Sequence, residues 1–405
     1  MREGWKEVKL EEVTTLIKRG VSPKYVENDG YFVINQKCIR DNKVSYTDAR
    51  LTSKEKKISN EKFISIGDTL VNSTGTGTLG RTGYVSNLPE KTTVDTHVTI
   101  VRPNINRIHP RFLGSYLSFI EPYIENLGKG ATNQIELSAK DLGSTKINLP
   151  PLPTQQRIAE ILSGYDDLIE NNLKRIQILE EMAQQTYEEW FVRMRFPGHE
   201  SAVINPETGL PEGWEKLKLG DLGEIITGKT PSTSKQEFFG NDIPFIKTPD
   251  MNSFPYVTEV TQYLSKEGGN SQKNKYVEKD TLIVSCIGSC AGGYALTSRK
   301  SQFNQQINGI KFSKVEYTFY AYCFAKGLRS IIESLGSNGA TMTNVNKSKF
   351  EQIDIILPNE ELLNQFHQIA KPCFDNILNL QIQNQRLREA RDLLLPRLMT
   401  GMIEV

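Results

Sequence analysis

The sequence predicts an α+β protein built as a pseudo-twofold tandem duplication: two similar lobes, each a twisted β-sheet with short helices, separated by two long antiparallel coiled-coil helices. Three observations predict it. The stretch from Leu149 to Trp190 carries a heptad pattern and, past Pro153, holds no residue that forbids a helix. The pattern returns 208 residues later. Outside these two runs, paired segments recur in one order with a period near 209 residues.

In the first run, Pro150, Pro151 and Pro153 close off what precedes, and the Thr154 hydroxyl is placed to cap the first turn. Seam residues follow at Ile158, Leu162, Tyr165, Ile169, Asn172, Ile176, Leu179, Ala183, Thr186 and Trp190, with spacings that alternate four and three. Charged residues such as Glu160, Asp167, Lys174 and Glu181 take the other faces. Adding 208 lands on Phe366, Ala370, Cys373, Ile377, Leu380, Asn384, Leu387, Arg391, Leu394 and Leu398, eight of the ten apolar. Each run alone also fits an amphipathic helix packed on a globular domain. Two runs in one register favour an intramolecular coiled coil. Antiparallel pairing about the helix midpoint sets Asn172 opposite Asn384, a polar contact able to fix register. Pro372 predicts a kink or restart, with the segment up to Lys371 packing separately. Arg391, in a seam position, has to snorkel or meet an acid such as Glu160 or Asp166.

A chain of 405 residues is long enough for two or three domains. With 38% apolar and 24% charged residues and no low-complexity tract, it reads as folded. No apolar stretch approaches the roughly 20 residues of a membrane span, and MREGWKEVKL lacks a signal-peptide core, so a cytoplasmic protein without membrane contact is expected. The five cysteines, Cys38, Cys286, Cys290, Cys323 and Cys373, show no CxxC spacing; free structural thiols are expected, and Cys286, Cys290 and His367 are the nearest approach to a ligand set. Net charge is only +1, yet residues 1–150 hold 22 Lys+Arg against 17 Asp+Glu, and residues 213–358 hold 17 against 14. The positive surplus lies in the lobes, where a phosphate backbone would be met.

The lobes open alike, with GWKEVKLEEVTTLIKRGVSP from Gly4 and GWEKLKLGDLGEIITGKTP from Gly213: an alternating Lys/apolar strand, a short acidic turn, then a Gly-containing basic loop. The apolar runs Tyr31 to Ile34 and Ile243 to Ile246 follow, and Asp68-Thr-Leu70 matches Asp280-Thr-Leu282. Both lobes close through Leu-Gly and Gly-Ala-Thr to Leu149-Pro150 or Leu357-Pro358. FPGHESAVINPETGLPEG, rich in Pro and Gly, is a linker.

These Gly-Trp openings, the paired Asp-Thr-Leu segments, the Leu-Pro exits into Gln-containing helices and the closing Leu394-Leu-Pro-Arg-Leu-Met-Thr-Gly401 together resemble the specificity subunit of type I restriction-modification enzymes, over essentially the whole chain. The resemblance implies a target recognition domain at 1–150, a central spacer helix at 151–195, a linker at 196–212, a second recognition domain at 213–358 and a C-terminal spacer helix at 359–405. It implies a non-catalytic subunit that reads a bipartite double-stranded DNA sequence, one lobe per half-site. Two methyltransferase subunits would bring S-adenosylmethionine; restriction/translocase subunits would bring ATP and Mg; this chain would hold no cofactor. A seam from Ile158 to Trp190 spans roughly 50 Å at about 1.5 Å per residue, against roughly 34 Å for one DNA turn. A protein-binding adaptor with duplicated lobes is the alternative that the residues leave open.

Base reading suits polar side chains on lobe loops: Arg and Lys for guanine, Asn and Gln for adenine. In the first lobe these are Lys18, Arg19, Asn35, Gln36, Lys37, Asn72, Ser73, Thr74, Thr76, Arg81, Thr132, Asn133 and Gln134. In the second they are Lys229, Thr230, Ser232, Lys247, Ser285, Ser289, Asn304, Gln305, Gln306, Thr341, Thr343 and Asn344. Any one of them also reads as a solvated or turn-forming residue. Gly75-Thr-Gly77-Thr-Leu-Gly80 spells a dinucleotide fingerprint, but RTGYVSNLPE after it cannot open a helix, so a glycine-rich turn is expected. Pro249-Asp250 lacks the downstream Glu-x-Lys of a nuclease, and neither Asn205-Pro206-Glu207 nor Asn148-Leu-Pro-Pro151 is a methyltransferase motif. No catalytic residue and no metal ligand is expected.

Overall fold

In the computed structural model, which describes residues 4–130, 135–251, 254–288, 290–336 and 344–405, the opening Lys/apolar segment of each lobe is a strand. Its partner is the lobe's last strand. Lys6–Lys9 pairs antiparallel with Lys146–Leu149, and Glu215–Lys218 with Asp354–Leu357. The acidic turn that follows is 3-10 helical in both, Leu10–Glu12 and Leu219–Leu222. Glu12 and Asp221 accept from the backbone N–H of Lys9 (3.1 Å) and Lys218 (2.8 Å), satisfying donors the turn would otherwise leave open.

The main sheets repeat one strand order. In the first lobe Thr14–Arg19, Val98–Pro103, Thr69–Asn72 and Thr82–Tyr84 lie side by side, and in the second Gly223–Thr227, Ile307–Phe312, Leu282–Ser285 and Tyr294–Thr297. All these pairings are antiparallel, and in each lobe a further strand, Asn42–Val44 or Tyr256–Val257, joins parallel. Beside it sits a second parallel pair, Gly30–Ile34 with Thr92–Val94, and Phe239–Ile246 with Gln302–Phe303. Thr69–Asn72 and Leu282–Ser285 are buried at every position, which suits near-continuous apolar and β-branched runs in the middle of a sheet.

One expectation is corrected here. In the first lobe the basic pair ahead of Gly20 ends a full strand, Lys18 and Arg19 standing in the sheet opposite Ile100 and Thr99, whereas in the second the strand stops at Thr227 and Lys229 lies in a loop, as expected. The alternation in TTLIK, which buries Leu16, drives the pairing past the basic residues. Glycine then ends it: a Cβ on Gly20 would stand 1.9 Å from the Val94 carbonyl oxygen, and one on Gly228 2.1 Å from that of Asn304.

The long helices are Leu152–Tyr187 and Glu360–Met399. The first starts ahead of Thr154, with Pro153 in its first turn, where a missing N–H costs nothing. In place of a Thr154 cap, the Gln155 amide accepts from the His109 N–H (2.8 Å) and donates to the Pro150 carbonyl (2.8 Å). Asn359 caps the second helix through the Leu362 N–H (2.9 Å). Pro372 does not interrupt that helix. Both it and Gln368, whose carbonyl loses its partner, face solvent, while Phe366, Ala370, Cys373 and Phe374 are buried on the other side. Packing and hydration of the freed carbonyl offset the lost bond.

The chain forms two compact units, Met1–Ile169 with Arg386–Val405, and Glu170–Gln385. In the first, Ile158, Ala159 and Leu162 share a core with Leu398, Met399 and lobe residues Trp5, Phe112 and Ile147. Arg391 meets Asp166 at 2.6 Å, which resolves its seam position. In the second, Ile176, Ala183 and Tyr187 pack with Phe366, Ala370, Ile377 and Leu380, and the Asn172 amide donates to Asn384 at 2.9 Å. Leu179 and Leu387 are half-buried, Ile169 buried. In each unit the residue numbers rise along one helix as they fall along the other, so the segments run antiparallel. Among the described residues no helix is long and apolar enough to cross a membrane.

Candidate nucleic-acid interface

In the first lobe three turns meet at the end of the Thr14–Arg19 strand. The Gln36 amide donates to the Thr74 carbonyl (2.7 Å) and to the Thr74 hydroxyl, which also bonds His97 Nδ1 (2.8 Å). Thr74 bridges to the backbone of Glu136, and Arg19 reaches the Glu136 carboxylate (3.2 Å) and the Leu137 carbonyl (2.8 Å). Asn35 accepts from the Lys37 N–H (2.9 Å), which turns Gln36 toward Thr74 and leaves Lys37 exposed. The Gly75 to Gly80 segment is a tight turn, with φ of +100°, +74° and +87° at Gly75, Gly77 and Gly80. It presents Thr76 to solvent and leaves Arg81 half-buried.

The second lobe builds the same junction on the same backbone bonds. Ser73 N–H to His97 carbonyl (2.8 Å) matches Cys286 to Gln306 (2.8 Å), Leu137 to Ser73 (2.8 Å) matches Val345 to Cys286 (3.0 Å), and Asp95 to Ile34 (3.0 Å) matches Asn304 to Ile246 (3.0 Å). The Thr74 to Glu136 bridge matches Ile287 to Asn344. On this frame Thr248 donates to Gln306 Oε1 (3.4 Å), Asn304 donates to the same oxygen (3.1 Å), and Thr230 donates to Gln305 (2.8 Å). Lys229 and Ser232 are exposed beside them; Lys247 is half-buried, its N–H held by Asp250 (2.8 Å).

Arg19, Gln36, Thr74 and the bridged Lys129 and Glu136 come together in the first lobe, and Lys229, Thr230, Lys247, Asn304, Gln305, Gln306 and Asn344 in the second. Other candidates do not join them. Asn72, Ser73 and Ser285 are 0%, 0% and 1% exposed, because Asn72 and Ser285 end the central strand of each lobe and Ser73 follows directly on it; they are framework, not rim. Lys18 points away into an ion pair with Glu61 (2.9 Å). Thr132, Asn133, Gln134, Ser289, Thr341 and Thr343 lie outside the described residues. His97 was missed. Its signal was the repeat itself, since Asp95-Thr-His97 precedes the Val98 strand as Asn304-Gln-Gln306 precedes the Ile307 strand.

The electrostatics of this junction are those of a frame. Burial pushes the Asp95 carboxyl up, and the His97 N–H (2.8 Å) pulls it partly back. Asp250 spends both oxygens on the backbone N–H groups of Lys247 (2.8 Å) and Thr261 (3.0 Å). Burial raises the Cys286 thiol to about 11, and its sulfur accepts from Asn308 (3.2 Å). His367 packs its ring on Phe319 at 5.3 Å. Among the described residues no three His, Cys, Asp or Glu side chains gather as a metal site.

A recognition lobe made twice, each copy carried on paired helix segments and ending in a polar rim, defines a two-site binding protein. The family model for the type I restriction modification DNA specificity domain matches twice, over residues 2–181 and 211–389, and the chain belongs to that family of specificity subunits. It is 30% identical to the HindI specificity subunit of Haemophilus influenzae, over 98% of this chain and 99% of that one. It is 26% identical to the putative MjaX specificity subunit of Methanocaldococcus jannaschii, over 100% and 94%. The crystal structure of the type I S subunit from M. genitalium shares the fold, with a TM-score of 0.63 at 14% identity, over 98% of this chain and 96% of that one.

Proposed function

We propose that each lobe reads one half of a bipartite, asymmetric DNA target through its rim, with the paired helices as spacer. The chain is a non-catalytic subunit of a cytoplasmic complex. Two methyltransferase subunits, which bring S-adenosylmethionine, and restriction/translocase subunits, which use ATP and Mg, act where it places them. The observation that carries this reading is the junction built twice: one backbone frame, two different sets of exposed polar side chains, as two unlike half-sites require. Ile178 and Met182, 56% and 53% exposed one turn apart on the first helix, offer a partner subunit an apolar face outside the seam.

The test is selection from a random duplex pool by this chain assembled with its methyltransferase subunits, repeated at several salt concentrations. The expected result is enrichment of a split motif and an affinity that falls steeply with salt. An unenriched pool would favour an adaptor whose lobes bind protein.

A further inference from the structure

Resting on that DNA-reading role, we infer that His97 and Gln306 are the matched specificity-determining residues of the two lobes, each offering one outward N–H to a keto base, guanine or thymine. They hold equivalent places: the carbonyl of each accepts from the central strand's end, Ser73 or Cys286, and the N–H of each is held by the side chain two residues earlier, Asp95 (2.8 Å) or Asn304 (3.2 Å). Neither backbone can turn away.

The hydrogen bonds behind them decide which atom faces out. The Thr74 carbonyl can only accept, so the Gln36 atom that meets it is the amide nitrogen. That nitrogen also donates to the Thr74 hydroxyl, which bonds His97 Nδ1 and, in the arrangement we infer, is the donor to it. His97 is exposed, while Thr74 is 8% exposed beneath it. With Nδ1 accepting from Thr74, the ring carries its proton on Nε2. In the second lobe Asn304 accepts from the Gln306 N–H through its oxygen, so its amide nitrogen is the atom that donates to Gln306 Oε1; Thr248 donates to that oxygen too. The acceptor of Gln306 is occupied from within and its NH2 is left to face outward. Two unlike side chains thus present the same thing, a donor with its acceptor tied down. At the major-groove position where guanine sets O6 and thymine O4, such a donor is accepted, whereas adenine and cytosine set amino donors there that oppose it; the N7 acceptor is common to both purines and does not discriminate.

The test uses the full chain assembled with its methyltransferase subunits and the same duplex selection. In His97→Ala, one position of one half-site should lose its preference for guanine or thymine by on the order of tenfold, with the other positions and the melting temperature kept. Gln306→Leu should relax one position of the other half-site. Thr74→Val should weaken the same position as His97→Ala, and Thr74→Ser, which keeps the hydroxyl, should restore it. A wild-type motif left intact in both His97→Ala and Gln306→Leu, or relaxation spread evenly over a half-site, overturns the assignment. A wild-type pool without any motif instead removes the DNA-reading role beneath it.

Discussion

In the first lobe the sheet is pinned from inside. Arg102 grips both carboxylate oxygens of Asp68, at 2.9 and 2.7 Å, and donates to the Phe63 carbonyl (2.8 Å), with the Asp68 side chain 2% exposed. The second lobe has Lys311 on the corresponding strand, paired opposite Glu224 in the sheet. It draws its support from the helices of its own unit. The Gln381 amide accepts from the Tyr256 N–H (3.2 Å) and donates to the Tyr256 carbonyl (2.8 Å), Tyr322 donates to Glu180 (2.7 Å), and Tyr187, Phe191, Tyr320 and Phe366 interlock edge to face. The repeat thus keeps strand order and rim bonds while each copy finds its stability elsewhere. A frame specified by backbone pairing leaves side chains outside it free to diverge.

The largest effect should come from Arg102→Ala. It leaves a buried carboxylate without its partner and should cost about 3 kcal/mol, the low end for a broken buried pair because Arg102 is a quarter exposed. Hydrogen exchange should show the loss in the first lobe alone; equal loosening of both lobes would break the comparison. Gln381→Leu strips two bonds from a buried strand and should cost about 2 kcal/mol, read as faster exchange at Tyr256 and Val257 with the first lobe unchanged.

Glu180→Gln should have the smallest effect, with opposite sign. Burial raises the Glu180 carboxyl despite the bond from Tyr322 and the charge of Lys326. A carboxyl raised on folding contributes its full stability below its unfolded value and loses it as pH rises through the folded one. The variant should therefore melt slightly above wild type at neutral pH, and the gain should vanish on acidification below the ordinary carboxylate range.

Much of this was legible in the residues. The heptad spacing located both helices, and antiparallel pairing put Asn172 against Asn384 because register in a seam follows from counting. Two local rules misled. Lys18-Arg19-Gly20 reads as a basic loop, yet a strand that buries Leu16 in one core with Leu70 of the same sheet carries its basic end along. Pro372 reads as a break, yet an exposed carbonyl on one side and Phe374 buried on the other let the helix continue. The rim was half legible. Polar loop residues announce themselves in composition, but the division between framework (Asn72, Ser73, Ser285) and surface (Gln36, Thr230) depends on where a strand ends, which tertiary pairing decides.

The bond between Asn172 and Asn384 also constrains how such a chain can lengthen. Seven residues added to one helix alone, between its lobe and the asparagine, would either slide the two amides apart or leave the seam misaligned. Separated, the buried Asn172 amide would lose that bond, at roughly 1–3 kcal/mol. Keeping this pair through such growth requires that the other helix lengthen by the same amount.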